Sequence, residues 1–85
     1  MAVSLWDVSN VIQMSYLFSQ AKSFNSSVRS WDVSQVIDMT SMFGAASNFN
    51  QPLANWNVGN VGSMANMFMN AESFNQPIRS WIVSR

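Results

Sequence analysis

The chain has no cysteine and no histidine among its 85 residues. Disulfides, thiolate chemistry and zinc knuckles are therefore excluded, while the redox compartment stays open. Without an imidazole, a thiol or a repeated lysine to act as base, its hydroxyl groups cannot be assembled into a nucleophilic or metal-hydrolytic centre, and no enzymatic activity or cofactor is expected. Charge is scarce too. Charged residues make up 9% of the chain, against roughly 25% in ordinary soluble domains. The four basic residues (Lys22, Arg29, Arg79, Arg85) balance the four acidic ones (Asp7, Asp32, Asp38, Glu72). That leaves no basic stripe for nucleic acid and no electrostatically chosen partner. No run approaches the ~18 apolar residues of a membrane span, so membrane insertion is not expected, and residues 1–6 lack the basic start and long apolar run of a secretion signal.

What the chain does have is a repeat. Trp6, Trp31, Trp56 and Trp81 recur every 25 residues. In the same register stand Val8, Val33, Val58 and Val83; Val11, Val36 and Val61; Met14, Met39 and Met64; Phe18, Phe43 and Phe68; and Phe24, Phe49 and Phe74. A unit this small has one face to bury and must stack on its neighbours. The chain reads as a single domain, 1–85, of three repeats (3–27, 28–52, 53–77) and a partial fourth (78–85). Ser and Asn fill 25 of the 85 positions and cover the surface in place of charge.

Within one unit the spacing changes character. Trp31 and Val33 alternate with Ser30, Asp32 and Ser34, which predicts a short, half-buried strand. Met39, Met42, Phe43 and Ala46 stand at i, i+3, i+4 and i+7, which predicts a two-turn helix over 39–46, with counterparts over 14–21 and 64–71. Steps of three from Val33 to Met42 also suit 3₁₀ geometry, so the helix type stays open. Pro52 and Pro77 break the helix before the next strand. The expected fold is an α/β repeat: a leucine-rich-repeat-like right-handed solenoid with one short parallel strand and one short helix per 25-residue coil. Trp then stacks on Trp, Phe on Phe, and Asn25, Asn50 and Asn75 form an internal amide ladder.

The segments Trp31-Asp32-Val33-Ser34-Gln35-Val36-Ile37-Asp38-Met39 and Ser73-Phe74-Asn75-Gln76-Pro77-Ile78 resemble the repeat of the BspA-like leucine-rich-repeat surface proteins. That repeat has a Trp-Asp-Val-Ser-Asn-Val start, a Met-x-x-Met-Phe centre and a Ser-Phe-Asn-Gln end. The resemblance covers essentially the whole chain, with departures at Ser27, Gly59 and Ile82. It implies a cell-surface or extracellular module for adhesion or interaction, without catalysis.

Function is expected on outward strand positions lining a concave face: Asp7, Ser9, Ser30, Asp32, Ser34, Asn55, Asn57, Ser80 and Ile82. The leading expectation is a noncatalytic interaction module that binds an unknown protein or surface ligand there. Its rival is a structural or self-assembling repeat without a ligand. Asp7 and Asp32, stacked about 5 Å apart with Asn57 next in the column, raise a third reading as a cation-dependent module. The bland reading of that pair is a solvated polar face, since a cation wants about six oxygens and only two carboxylates are evident. Asn25-Ser26-Ser27 is a formal glycosylation acceptor, but the ladder explains it better because Asn50 and Asn75 lack the acceptor pattern. Val3, Trp6, Val8, Trp81 and Val83 would leave apolar edges open, so a fragment of a longer array that self-associates through its ends is expected.

Overall fold

The computed structural model describes residues 3–78 and residue 81. Its smallest element is a turn in which a backbone N–H reaches the carbonyl three residues back. Trp31 N donates to Val28 O at 3.1 Å, Val36 N to Val33 O at 3.0 Å, Met42 N to Met39 O at 3.1 Å and Phe49 N to Ala46 O at 3.1 Å. Equivalent bonds recur in the units before and after, from Trp6 N to Val3 O through Trp81 N to Ile78 O. The apolar residues spaced by three are thus the first and last residues of successive β-turns. Their side chains point inward at the corners.

The helices expected over 14–21, 39–46 and 64–71 do not form. Positive φ angles interrupt each stretch at two places four residues apart: Tyr16 and Gln20, Ser41 and Ala45, Asn66 and Asn70, all between 53° and 62°. A residue in that region ends right-handed helix geometry. Alternate N–H groups then leave the segment for the next unit. Those of Met14, Tyr16, Phe18 and Gln20 donate to the carbonyls of Asp38, Thr40, Met42 and Gly44 at 3.0, 2.9, 2.8 and 2.7 Å. Met39, Ser41, Phe43 and Ala45 do the same toward Ser63, Ala65, Met67 and Met69, at 2.9, 2.8, 2.9 and 2.7 Å.

The strands are corrected as well. Residues around Trp31 and Val33 lie in turns, and the only bridge residues among those described are Gln13, Asp38 and Ser63, paired parallel as isolated bridges. With no helix and no strand longer than these among the described residues, the α/β leucine-rich-repeat-like right-handed solenoid is overturned. The described residues form a compact body of 29 × 26 × 21 Å.

Equivalent side chains nevertheless lie over one another. The indoles of Trp6, Trp31, Trp56 and Trp81 follow at 6.3, 6.4 and 6.3 Å, stacked with their planes nearly parallel. Phe18, Phe43 and Phe68 stack at 5.6 Å each, and Phe24, Phe49 and Phe74 at 5.7 and 5.9 Å. Each Trp but the first also donates its indole N–H to a carbonyl 28 residues earlier. The middle unit is sealed: Val28, Met39, Met42, Phe43 and Phe49 are fully buried. Trp6, named among the apolar edges expected to stay open, is half-exposed, with no described unit below it.

Candidate interaction face

The polar column on the side of the stack is built from Asx turns. Asp7 Oδ1 accepts the Ser9 backbone N–H at 3.0 Å and the Ser9 hydroxyl at 2.7 Å. Asp32 Oδ1 accepts the same two groups of Ser34 at 3.0 and 2.6 Å. In the third unit Asn57 Oδ1 accepts Gly59 N–H at 3.0 Å. A short side chain with an oxygen at this position satisfies the second N–H ahead, which is why Asp and Asn alternate there freely. Gly59 fits the same turn closely, since an added Cβ would stand 3.2 Å from Asn57 Oδ1.

These bonds set the electrostatics. The Ser9 hydroxyl, then the Ser9 backbone N–H, hold the Asp7 carboxyl below its usual value of 3.8. Ser34 acts in the same way on Asp32, opposed weakly by the negative charge of Asp7. Asp38 is lowered by the Thr40 hydroxyl and N–H, and Thr40 in turn shares a 2.7 Å hydrogen bond with Ser63. Asp7 and Asp32 are exposed and Asp38 is partly buried, and what stabilises the charged form of all three is local hydrogen bonding.

Asp7, Ser9, Ser30, Asp32, Ser34, Asn55 and Asn57 therefore lie in turns and not on a strand face, with Ser30 and Asn55 exposed. Ser80 and Ile82 lie outside the described residues. Among the described residues no three His, Cys, Asp or Glu side chains come together in a way that could hold a metal ion. The amide ladder exists, but on the outside. Asn50 N donates to Asn25 Oδ1 at 2.8 Å and Asn75 N to Asn50 Oδ1 at 2.9 Å, with Gln51 and Gln76 reaching the same oxygens.

Two residues beside the polar column were not singled out by the repeat. Ile12 and Ile37 are 51% and 47% exposed. Ile37 N donates to Ile12 O at 2.8 Å, and Gly62 N to Ile37 O at 2.8 Å, so the two isoleucines and Gly62 form a column of their own. Gln35, Ile37, Asn60 and Gly62 line a shallow groove there. The available signal was an apolar residue directly after Val11 and Val36, adjacent to a core column and so turned away from it.

No helix of the described residues is long and apolar enough to cross a membrane. No curated protein and no solved structure matches the chain. The stacked Trp, Phe and Asn columns are those of a repeat protein, related to the BspA-like proteins that the sequence resembles, although the family match does not establish a leucine-rich-repeat character. The family model described as "Mycoplasma protein of unknown function, DUF285" matches residues 1–85, the full length given, and the chain belongs to that family.

Proposed function

We propose that the chain is a noncatalytic protein-interaction or adhesion module of a cell-surface protein. The reading places the contact on the side of the stack, where the Asp7, Asp32 and Asn57 turns adjoin Ile12 and Ile37. The observation that carries it is the pair of half-exposed isoleucines, one above the other, with the polar Gln35 and Asn60 lining the groove at Ile37. Water-facing apolar side chains rimmed by polar ones mark contact surfaces on soluble folds. The polar rim is rigid, because each Asx turn already holds its side chain in place and little ordering is left to oppose binding.

Beads coated with the full chain, applied to cultured cells, test the reading. Attachment should fall sharply for an Ile12→Ser, Ile37→Ser chain and less for Asp32→Ala with Asn57→Ala, with near-ultraviolet circular dichroism unchanged. Equal attachment by the wild-type and isoleucine-substituted chains would overturn it.

A further inference from the structure

One face of the stack carries a hollow whose shape follows from the register. Residues 25 apart lie one above another there: Tyr16, Ser41 and Asn66 in one column, Gln20, Ala45 and Asn70 in the next. Backbone bonds join the rows, from Tyr16 N to Thr40 O at 2.9 Å, Ser41 N to Ala65 O at 2.8 Å, and from Gln20 N to Gly44 O and Ala45 N to Met69 O at 2.7 Å each. The middle unit has the small side chains. Gly44 is buried and Ser41 and Ala45 are half-buried, whereas Tyr16 and Gln20 before them and Asn66, Met69 and Asn70 after them are exposed. The result is a space of about 160 Å³. The middle unit forms its floor and the units on either side its walls, which stand roughly 10 Å apart at two ladder spacings. A drug-sized ligand takes roughly 300 Å³ or more, so a single small ring is what this hollow admits.

The lining is uncharged: no acidic or basic side chain contributes to it. It offers one aromatic ring, that of Tyr16, which is 62% exposed. Beside it stand the amides of Gln20, Asn66 and Asn70 and the hydroxyls of Ser19 and Ser41. None of these five polar side chains hydrogen-bonds to another described residue. Other amides are engaged by the fold, Asn25 and Asn50 with the next unit and Asn57 with its own turn. A free amide presents both donors and an acceptor, which two neighbouring hydroxyls on one ring complement. Tyr16 also stands where its side chain is disfavoured. Its φ is 62°, a region that bulky residues rarely occupy and that asparagine, its equivalent at position 66, tolerates far better. Residues held in such backbone concentrate at ligand sites.

We propose that the hollow binds the terminal uncharged hexose of a glycan. A pyranose has a C–H face and a rim of hydroxyls. Its slightly positive C–H groups suit the negative face of the Tyr16 ring, while Gln20, Asn66 and Asn70 donate to and accept from the rim and Ser41 reaches it from the floor. An apolar ring would leave those amides unpaired, and a charged one would lose hydration without a counter-charge. The exposed walls leave the rest of the glycan in solvent. The site shares no lining residue with the groove at Ile37 and is independent of the side-face reading.

Two-dimensional proton–nitrogen NMR of the full chain, titrated with the methyl glycosides of glucose, galactose, mannose and N-acetylglucosamine, tests the proposal. At least one should move the amide signals of Ser41, Gly44 and Ala45 and saturate with a Kd of about 1–10 mM, as expected where each hydrogen bond replaces one to water. Tyr16→Asn keeps a side chain suited to positive φ and removes the ring, and should weaken binding about tenfold or more. Asn70→Gly keeps the left-handed backbone and removes an amide, and should weaken it severalfold. Leu5→Ser, at an exposed apolar residue outside the hollow, should leave it unchanged. The same spectra show whether each variant is folded. No shift from any of the four glycosides at about 100 mM, ten times the weakest expected Kd, shifts confined to other residues, undiminished binding by a folded Tyr16→Asn or Asn70→Gly chain, or an equal loss in Leu5→Ser overturns the proposal.

Discussion

The indole N–H of Trp31 donates to the backbone carbonyl of Val3 at 3.0 Å, across 28 residues of chain. Trp56 and Trp81 repeat the bond to Val28 and Leu53. Tryptophan is therefore selected here twice, for its stacked area and for a donor that a phenyl ring lacks. The Val3, Val28 and Leu53 carbonyls each also accept the N–H of the Trp in their own unit, so these oxygens tie one unit to the next.

Replacing Trp56 by Phe keeps much of the ring area and removes the donor. The loss is expected to be about 1–3 kcal/mol, combining a buried hydrogen bond with a partly filled space. Trp6→Phe, at the exposed end and without that bond, is expected to cost less than half as much. Urea unfolding of the two variants beside the wild type measures the difference, and equal losses would show that the indole N–H contributes nothing.

Stability should fall in acid. Asp7, Asp32 and Asp38 have folded-state pKa values below the ordinary 3.8. A carboxyl lowered on folding adds stability that is fully present above its unfolded value and disappears as pH drops through the folded one. The decline is therefore expected to begin near pH 4 and deepen below it. A chain with Asp7→Asn, Asp32→Asn and Asp38→Asn keeps the Oδ1 acceptors, as Asn57 does naturally, and should lose most of the pH dependence of its melting temperature in that window.

The stacking of the units was legible in the sequence because a fixed period puts like residues at like heights, and Trp31, Phe43, Phe49 and Asn50 sit as that period requires. The local conformation was not. Met39, Met42, Phe43 and Ala46 fit an i, i+3, i+4, i+7 stripe, but the first pair and the last pair are each the ends of one β-turn. A series of turns with i to i+3 bonds produces the same intervals as a helix. The distinguishing feature is left-handed backbone at Ser41 and Ala45, and neither residue announces it as glycine would. Only Asn66 and Asn70, in the third unit, carry a recognisable preference. The side-face residues Asp32 and Asn57 were identified, though as outward strand positions when they are turn-forming acceptors.

Ala45 has a φ of 58°, where a Cβ costs about 1–2 kcal/mol. Glycine removes that cost and adds about 0.5–1 kcal/mol of unfolded-chain entropy. Ala45→Gly is thus expected to stabilise by about 0.5–1 kcal/mol, raising the melting temperature by a few degrees for a domain of this size. Its neighbour supplies the control. Gly44 has no positive φ, and an added Cβ meets Ser41 O at an ordinary 3.4 Å, so Gly44→Ala should be near neutral. A melting temperature lowered by Ala45→Gly would contradict the left-handed assignment.

Leu17 and Met42 occupy one column and differ only in what lies on their outer side. Leu17 is 43% exposed and Met42 fully buried. A glutamate at 17 can turn its carboxylate into water, and the fold should lose no more than about 1 kcal/mol. A glutamate at 42 has Phe43, Met39 and the neighbouring layers around it and no route to solvent. Burying that charge costs several kcal/mol and exceeds what a single small core supplies. Leu17→Glu should retain sharp near-ultraviolet circular dichroism and cooperative melting, whereas Met42→Glu should lose both. If the two variants melt alike, the middle layer is not the sealed interior on which the stacking of these units depends.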